Sequence, residues 1–305
     1  MSVRSRIDGL EERINERLPR QVKIGAGVLY LHRSGGSERL DTLAERPGWD
    51  RWHDCSIGLL LACQVAVLGL VLTGAWLALQ QPEPTALNAP ENTIAIPGIN
   101  AFMPLAAAPS VIAALVIATV AHEFGHAIAC RREEIPLQET GIALLFGVVP
   151  LAAYVLPGEK LDTASRRSRL RVFAAGVANN LVVAAVALAV LLAPATGTAM
   201  DAYMLYFGWA VTGGVPPTAE SIAALGLVTN LAFWTALLSA NFGLLNALPV
   251  TLLDGGRVLS LVLDEVGERL GRPLSAWRRR LVIHGTGVIA ALAVVVAILG
   301  PHMPV

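Results

Sequence analysis

The stretch Ser110 to Cys130, SVIAALVIATVAHEFGHAIAC, decides the fold. An α-helix needs about twenty mostly apolar residues to cross a hydrocarbon core about 30 Å thick, and this stretch supplies them. His122 and His126 are four residues apart, so both imidazoles lie on one face of such a helix and can bind one divalent metal ion. Ionisable side chains at membrane depth are costly unless they pair or bind something. The cluster therefore predicts a functional site inside a membrane.

Glu123 stands beside the first histidine and completes a His-Glu-x-x-His pattern. On a helix this pattern is typical of zinc peptidases, in which the glutamate is the general base that takes a proton from water. The alternative is a core helix of a soluble protein whose two histidines recur by chance. The apolar residues around the motif disfavour that alternative.

Composition assigns the chain to the polytopic membrane class, because 54% of its 305 residues are hydrophobic and only 15% are charged. All 23 basic residues, 21 of them Arg, fall in three blocks that are separated by apolar runs. The predicted spans are 56–80, 110–130, 172–193, 222–245 and 281–300. Five crossings put every basic block on one side. By the positive-inside rule, we predict a multi-pass protein of the cell membrane whose N-terminus and active site face the cytoplasm.

The remaining segments shape our expectation of an all-α membrane protein. Residues 1–55 read as a cytoplasmic amphipathic extension with a helix over Ile7 to Leu18, and residues 56–305 as the membrane-embedded domain. Gly141 to Pro157 is apolar but short, and basic sequence flanks it on both sides. A single crossing by this segment would therefore put one basic block on the wrong side of the membrane. We expect it to form a re-entrant loop or hairpin near the active site.

A catalytic zinc usually has three protein ligands, and Asp254 is the best candidate for the third. It lies in Asn-Ala-Leu-Pro-Val-Thr-Leu-Leu-Asp-Gly-Gly-Arg, residues 246–257, on the same predicted side as His126. Taken alone, an ordinary Asp-Gly turn at the membrane edge would be the better explanation of this residue. Pro249 is expected to stop the preceding helix, and Gly255 with Gly256 to allow a tight bend.

Asn180 follows Gly176 by four residues near the cytoplasmic end of the third span. An asparagine amide can stabilise an oxyanion or hold a substrate backbone in a site without bulk water. The alternative is that Gly176 forms a small-residue helix contact and that the amide bonds to a neighbouring helix.

Together these residues resemble the site-2 protease family of intramembrane zinc metalloproteases. The resemblance rests on HEFGH at 122–126, on Gly176 with Asn180, and on Asn246-x-x-Pro249 followed by Leu-Asp-Gly at 253–255, in that order on three helices. It implies Zn²⁺ as the cofactor, His122, His126 and Asp254 as its ligands, Glu123 as the general base and Asn180 as a catalytic contributor.

The resemblance also implies regulated intramembrane proteolysis, with the transmembrane segment of a membrane-anchored protein as substrate and the lipid bilayer as surroundings. No nucleic-acid partner is predicted. Two other functions remain open, a proteolytically inactive adaptor that binds membrane helices and a metal-ion transporter. Retention of Glu123 disfavours the adaptor. A lack of polar residues through the full thickness of the spans disfavours the transporter.

Overall fold

The computed structural model describes residues 13–302 apart from 20, 26–27, 82, 146, 148, 194–197 and 213. The helices with described bounds are α1 (Glu38–Ala44), α2 (Trp49–Ala78), α3 (Ala108–Arg132), α4 (Lys160–Thr163), α5 (Arg166–Leu192), α6 (Ala199–Tyr203), α7 (Trp209–Thr212), α8 (Ala219–Leu225), α9 (Leu227–Ala247), α10 (Asp254–Arg269) and α11 (Ala276–Leu299). As predicted, five of them are long and apolar enough to cross a membrane, namely α2, α3, α5, α9 and α11. The protein is mainly helical and is an integral membrane protein.

All five of these helices begin at other residues than predicted, and α3, α5 and α11 begin two, six and five residues earlier. Helix α2 starts at Trp49 instead of residue 56, and its 30 residues extend over about 45 Å, more than the hydrocarbon core requires. Helix α9 starts at Leu227 instead of residue 222, because Gly226 ends the short helix α8 with a positive φ of 77°. Only glycine adopts that backbone conformation readily.

A four-stranded antiparallel sheet was not foreseen in the all-α prediction. Its strands are β1 (Val22–Gly25), β2 (Val28–Ser34), β3 (Leu137–Leu145) and β4 (Val149–Pro157), in the order β1-β2-β3-β4. The predicted re-entrant loop or hairpin is the β3–β4 hairpin, which begins four residues before Gly141 and packs against α3.

The N-terminal region is joined to this hairpin by backbone pairing. Strand β2 aligns with β3 from Val28 opposite Leu145 to Ser34 opposite Glu139. The helix predicted over Ile7 to Leu18 lies largely outside the described residues. The division of the chain at residue 55 stays a prediction, although α2 runs through that point.

Helices α3, α5 and α9 pack against one another at the centre, and α2 and α11 pack together on one side. Small residues fill the central contacts, and Ala118, Ala174 and Ala178 are completely buried. A Cβ on Gly125 would lie 2.6 Å from the carbonyl oxygen of Ala175, so only glycine allows α3 and α5 to approach this closely. Such contacts are the usual means of helix association in a bilayer, where burial of apolar area supplies no driving force.

The two ends of the bundle are held by different interactions. At one end, Arg171 donates two hydrogen bonds to Asp54 of α2, at 2.8 and 2.9 Å, and one to Glu133 at the end of α3, at 2.7 Å. At the other end, the buried Tyr206 hydroxyl donates to Asn230 Oδ1 of α9 at 2.6 Å. The first group of contacts fixes the ends of the helices that carry the predicted site.

Candidate metal centre

Three donor atoms from two distant segments converge between α3 and α10. The Nε2 atoms of His122 and His126 are 3.1 Å apart, and Asp254 Oδ2 lies 3.2 Å from each of them. His122 and Asp254 are 4% and 8% exposed. The three residues predicted as ligands therefore form one buried cluster that could hold a metal ion.

The separations of these atoms fit a small tetrahedral cation. With zinc–ligand bonds of about 2.0 to 2.1 Å, two tetrahedral ligands lie about 3.3 to 3.4 Å apart. Asp254 Oδ2 is buried and accepts no hydrogen bond from the residues that the structure describes. A divalent cation would satisfy this oxygen and the two imidazole lone pairs together, so the donor set fits zinc.

Neighbouring groups orient the two imidazoles. His126 Nδ1 donates to the carbonyl oxygen of Val172 at 2.8 Å, which leaves Nε2 with its lone pair for a metal. The amide of Asn180 lies 3.4 Å from His122 Nδ1 and is fully buried. If its oxygen, which lacks a partner among the described residues, faced the ring, it would hold His122 in the same tautomer. The predicted contribution of Asn180 to catalysis stays a prediction.

Gly176 of α5 lies directly against both rings. A Cβ at this position would come within 2.5 Å of His126 Nε2 and 2.8 Å of His122 Cε1. Any larger side chain would therefore occupy the space of the ligands. Gly176 is therefore a close contact between α5 and α3, as the alternative expected, and the contact is made with the two histidine rings.

Asp254 is the first residue of α10 and is positioned by the segment that precedes it. Helix α9 ends at Ala247, just before Pro249, as expected for a residue that cannot continue a helix. Gly255 and Gly256 do not have positive φ, contrary to the reason we expected for them. Their role is close approach, because a Cβ on either would collide with a backbone carbonyl of this segment.

Electrostatics keep Asp254 in its anionic form. Burial opposes its ionisation, but the two histidines, when protonated, outweigh burial and hold the pKa of this carboxyl well below its usual range. An anionic carboxylate is the form that ligates a divalent cation.

Glu123 faces the same cavity as the three ligands, a space of about 220 Å³. Its Oε2 accepts a hydrogen bond of 2.8 Å from the backbone N–H of Val155 in β4. The sheet thus fixes the carboxylate beside the ligand cluster. Glu123 also lines a larger groove, of about 600 Å³, between α3 and the sheet.

Comparison with known families agrees with this geometry. The family model of peptidase family M50, the site-2 protease family, matches residues 110–294, more than half of the chain. The chain belongs to peptidase family M50. No solved structure matches it. The family consists of membrane metalloproteases that in general depend on zinc, and the buried His-His-Asp cluster of this member could bind that metal.

One residue that orders the site of this M50 member was missed in the sequence. Gln64 of α2 donates to the carbonyl oxygens of Ala247 and Gly255 at 3.0 and 2.8 Å, and so ties α2 to the segment that presents Asp254. An amide in the middle of an apolar span was the available signal, because it is costly there without partners.

The other four histidines of the chain lie outside the M50 motif. His53 is 1% exposed and stacks on Trp49 with ring centroids 5.6 Å apart. His32 is also largely buried, with its side chain 14% exposed. His302 is exposed, and His284 Nδ1 lies 3.1 Å from Thr251 Oγ1.

Proposed function

We propose that this protein is an intramembrane zinc metalloprotease that hydrolyses a peptide bond within or near the transmembrane segment of a membrane-anchored protein. The observation that carries the proposal is the convergence of His122, His126 and Asp254 on one point, with Glu123 lining the same cavity, inside a bundle of apolar helices. A proteolytically inactive adaptor would not need a general base at this position.

Zinc at this cluster would supply Lewis acidity that polarises a peptide carbonyl and makes water a nucleophile at neutral pH. Glu123 takes the proton from the attacking water and passes it to the leaving amine. Its hydrogen bond from Val155 leaves the second carboxylate oxygen for that exchange. Asn180 steadies the reacting group, either directly or by holding His122 in position.

The groove between α3 and the sheet is the entry path that we assign to the substrate. It leads along Val120 and Phe124 to Glu123, and strands β3 and β4 form its opposite wall. A substrate helix has its peptide groups engaged in internal hydrogen bonds, so it must unwind before the cut. We therefore expect residues that weaken a helix near the scissile bond.

In this proposal the active site faces the cytoplasm, where the arginines cluster, and the cut releases the cytoplasmic part of a membrane-anchored regulator. The direct test is to reconstitute the zinc-loaded protein with single-span substrates that carry Gly or Pro near the cytoplasmic end. Cleavage should occur with the parent and be lost with Glu123→Gln.

Metal analysis separates the competing functions. The parent should hold one zinc ion per chain, and both His126→Ala and Asp254→Ala should lose it. Zinc retained by Asp254→Ala would refute the third ligand. A parent without zinc, even after zinc is supplied, would favour the adaptor. Transport of zinc ions across the membrane of reconstituted vesicles, without any proteolysis, would favour the transporter.

A further inference from the structure

A second cavity, of about 450 Å³, opens where α5, α10 and α11 meet and lies outside the metal centre. Four arginines line it, Arg169, Arg257, Arg279 and Arg280, against a single carboxylate, that of Asp162. A lining of this kind attracts anions, and its guanidinium groups are the side chains that best match a phosphate.

Five arginines elsewhere on the same end of the bundle differ from those of this basic cavity. Arg131, Arg132, Arg166, Arg167 and Arg171 all form ion pairs with carboxylates. In the basic cavity only Arg279 forms an ion pair with a described residue, Asp264, at 2.6 Å.

Three guanidinium groups of the basic cavity have no carboxylate partner among the described residues. The Nε of Arg169 is buried and has no hydrogen-bond acceptor there either. Arg257 lies over the ring of Phe173, 5.1 Å from its centroid. Arg280 makes only a 3.4 Å contact with a carbonyl of its own helix. The buried N–H of Arg169 is costly without an acceptor, and an anion in the cavity would supply acceptors to it and to the two neighbouring guanidinium groups.

The position of the cavity along the membrane helices indicates which anion it binds. Arg279 and Arg280 lie in the first turns of α11, immediately before its apolar run, and Arg169 lies in the first turns of α5. Residues at the ends of membrane spans lie at the level of the lipid headgroups. Besides the arginines, the lining carries the hydroxyl of Ser260 and the apolar side chains of Leu161 and Ile283. Hydroxyls donate to phosphate oxygens, and apolar surface suits a glycerol or acyl chain.

We propose that this cavity binds a phosphate group, and that the phosphate belongs to an anionic phospholipid of the surrounding bilayer. The arginines provide the charge and the N–H donors, and basic pockets between membrane helices are suited to lipid headgroups. The site is distinct from the metal centre, although Phe173 and Arg257 line both cavities.

The test is lipid binding to the full chain, counted by native mass spectrometry in detergent. Phosphatidylglycerol is titrated against phosphatidylcholine of the same acyl chains. The variant Arg169→Gln/Arg280→Gln removes two donors from the cavity, and Arg272→Gln/Arg278→Gln removes the same charge from exposed positions outside it. Because hydrogen bonds to charged groups are strong, we expect the affinity of the first variant for phosphatidylglycerol to be at least about tenfold lower than that of the parent. The second should bind like the parent.

Equal affinities of the parent and the first variant would overturn the proposal, and so would an equal loss in both variants. Circular dichroism and zinc content confirm that each variant is folded. Arg280→Gln alone, at an exposed position, gives a second measurement if the double variant does not fold. Inorganic phosphate is the competing probe. If it binds in an Arg169-dependent way and the protein shows no preference for phosphatidylglycerol, the phosphate site stands and the lipid source is refuted.

Discussion

Gly176→Ala is the sharpest perturbation of the metal centre that the structure offers. The added methyl group would lie 2.5 Å from His126 Nε2 and 2.8 Å from His122 Cε1. Nonbonded heavy atoms normally keep about 3.5 Å or more, so the rings or α5 must move by about 1 Å.

This displacement is large compared with what a metal site tolerates, because ligand distances must hold to about ±0.2 Å. Alterations of the groups that orient ligands commonly reduce metal affinity by about 10- to 100-fold. Here both ligands are displaced, so we expect at least a 100-fold loss of zinc affinity, or about 2.7 kcal/mol. Replacing glycine by alanine inside a helix favours folding by about 1 kcal/mol, which partly offsets an overpacking cost of about 1 to 3 kcal/mol. The protein should therefore fold and fail to bind zinc.

The assay is a competition between the protein and a chelator of known zinc affinity, with circular dichroism as the measure of folding. Gly58→Ala is the matched control. It makes the same change inside the membrane helix α2, at a position where the described residues beyond the adjacent turns of that helix place no atom within 4 Å of the new methyl group. It should bind zinc like the parent.

The reasoning is refuted if Gly176→Ala holds zinc as tightly as Gly58→Ala. That result would mean that the two imidazoles do not contact this glycine in the metal-bound protein. Loss of zinc in both variants would mean that the effect comes from the helix and not from the site.

Three further predictions follow from single contacts. Glu123→Gln should keep zinc but lower the rate of peptide hydrolysis by about 100-fold or more, because it removes the general base. Metal analysis together with a cleavage assay tests this, and an unchanged rate would contradict it. Gln64→Leu should lower both thermal stability in detergent and zinc affinity, because it leaves the buried carbonyl of Ala247 without its donor, at about 1 to 3 kcal/mol, and removes the tie to Gly255. Parental values for both quantities would contradict the importance of these hydrogen bonds. Tyr206→Phe should lower the free energy of unfolding by about 1 to 3 kcal/mol, because Asn230 Oδ1 loses its donor. Zinc content should not change, since this contact lies at the other end of the bundle. A loss of zinc would show that the two ends are not independent.

The parts of the site that the sequence predicts are those set by local geometry. His122 and His126 share a face because the helix repeats every 3.6 residues, whatever surrounds it. Asp254 is 128 residues beyond His126, and only the alternation of basic blocks and the resemblance to the site-2 proteases linked the two. The structure brings all three together.

The sheet and the amide of Gln64 could not be predicted in the same way. Strand β2 pairs with β3 about a hundred residues later, and a short apolar run such as Gly141 to Pro157 has the same pattern in a strand, a hairpin or a buried helix segment. Similarly, an amide within an apolar span signals a hydrogen bond but not its partner. The acceptors of Gln64 lie in a segment that follows it by more than 180 residues.

The sequence by itself determines that the chain has five membrane helices and that two histidines and a glutamate share one of them. Hydrophobic run length and helical periodicity are local properties, and no other part of the chain can alter them. Only the tertiary structure decides that Asp254 completes the cluster, that Gly176 makes room for the imidazoles and that Val155 of the sheet holds Glu123. Those contacts arise because helices α3, α5 and α10 meet with strand β4 at one point, and such meetings depend on packing between segments that no local pattern specifies.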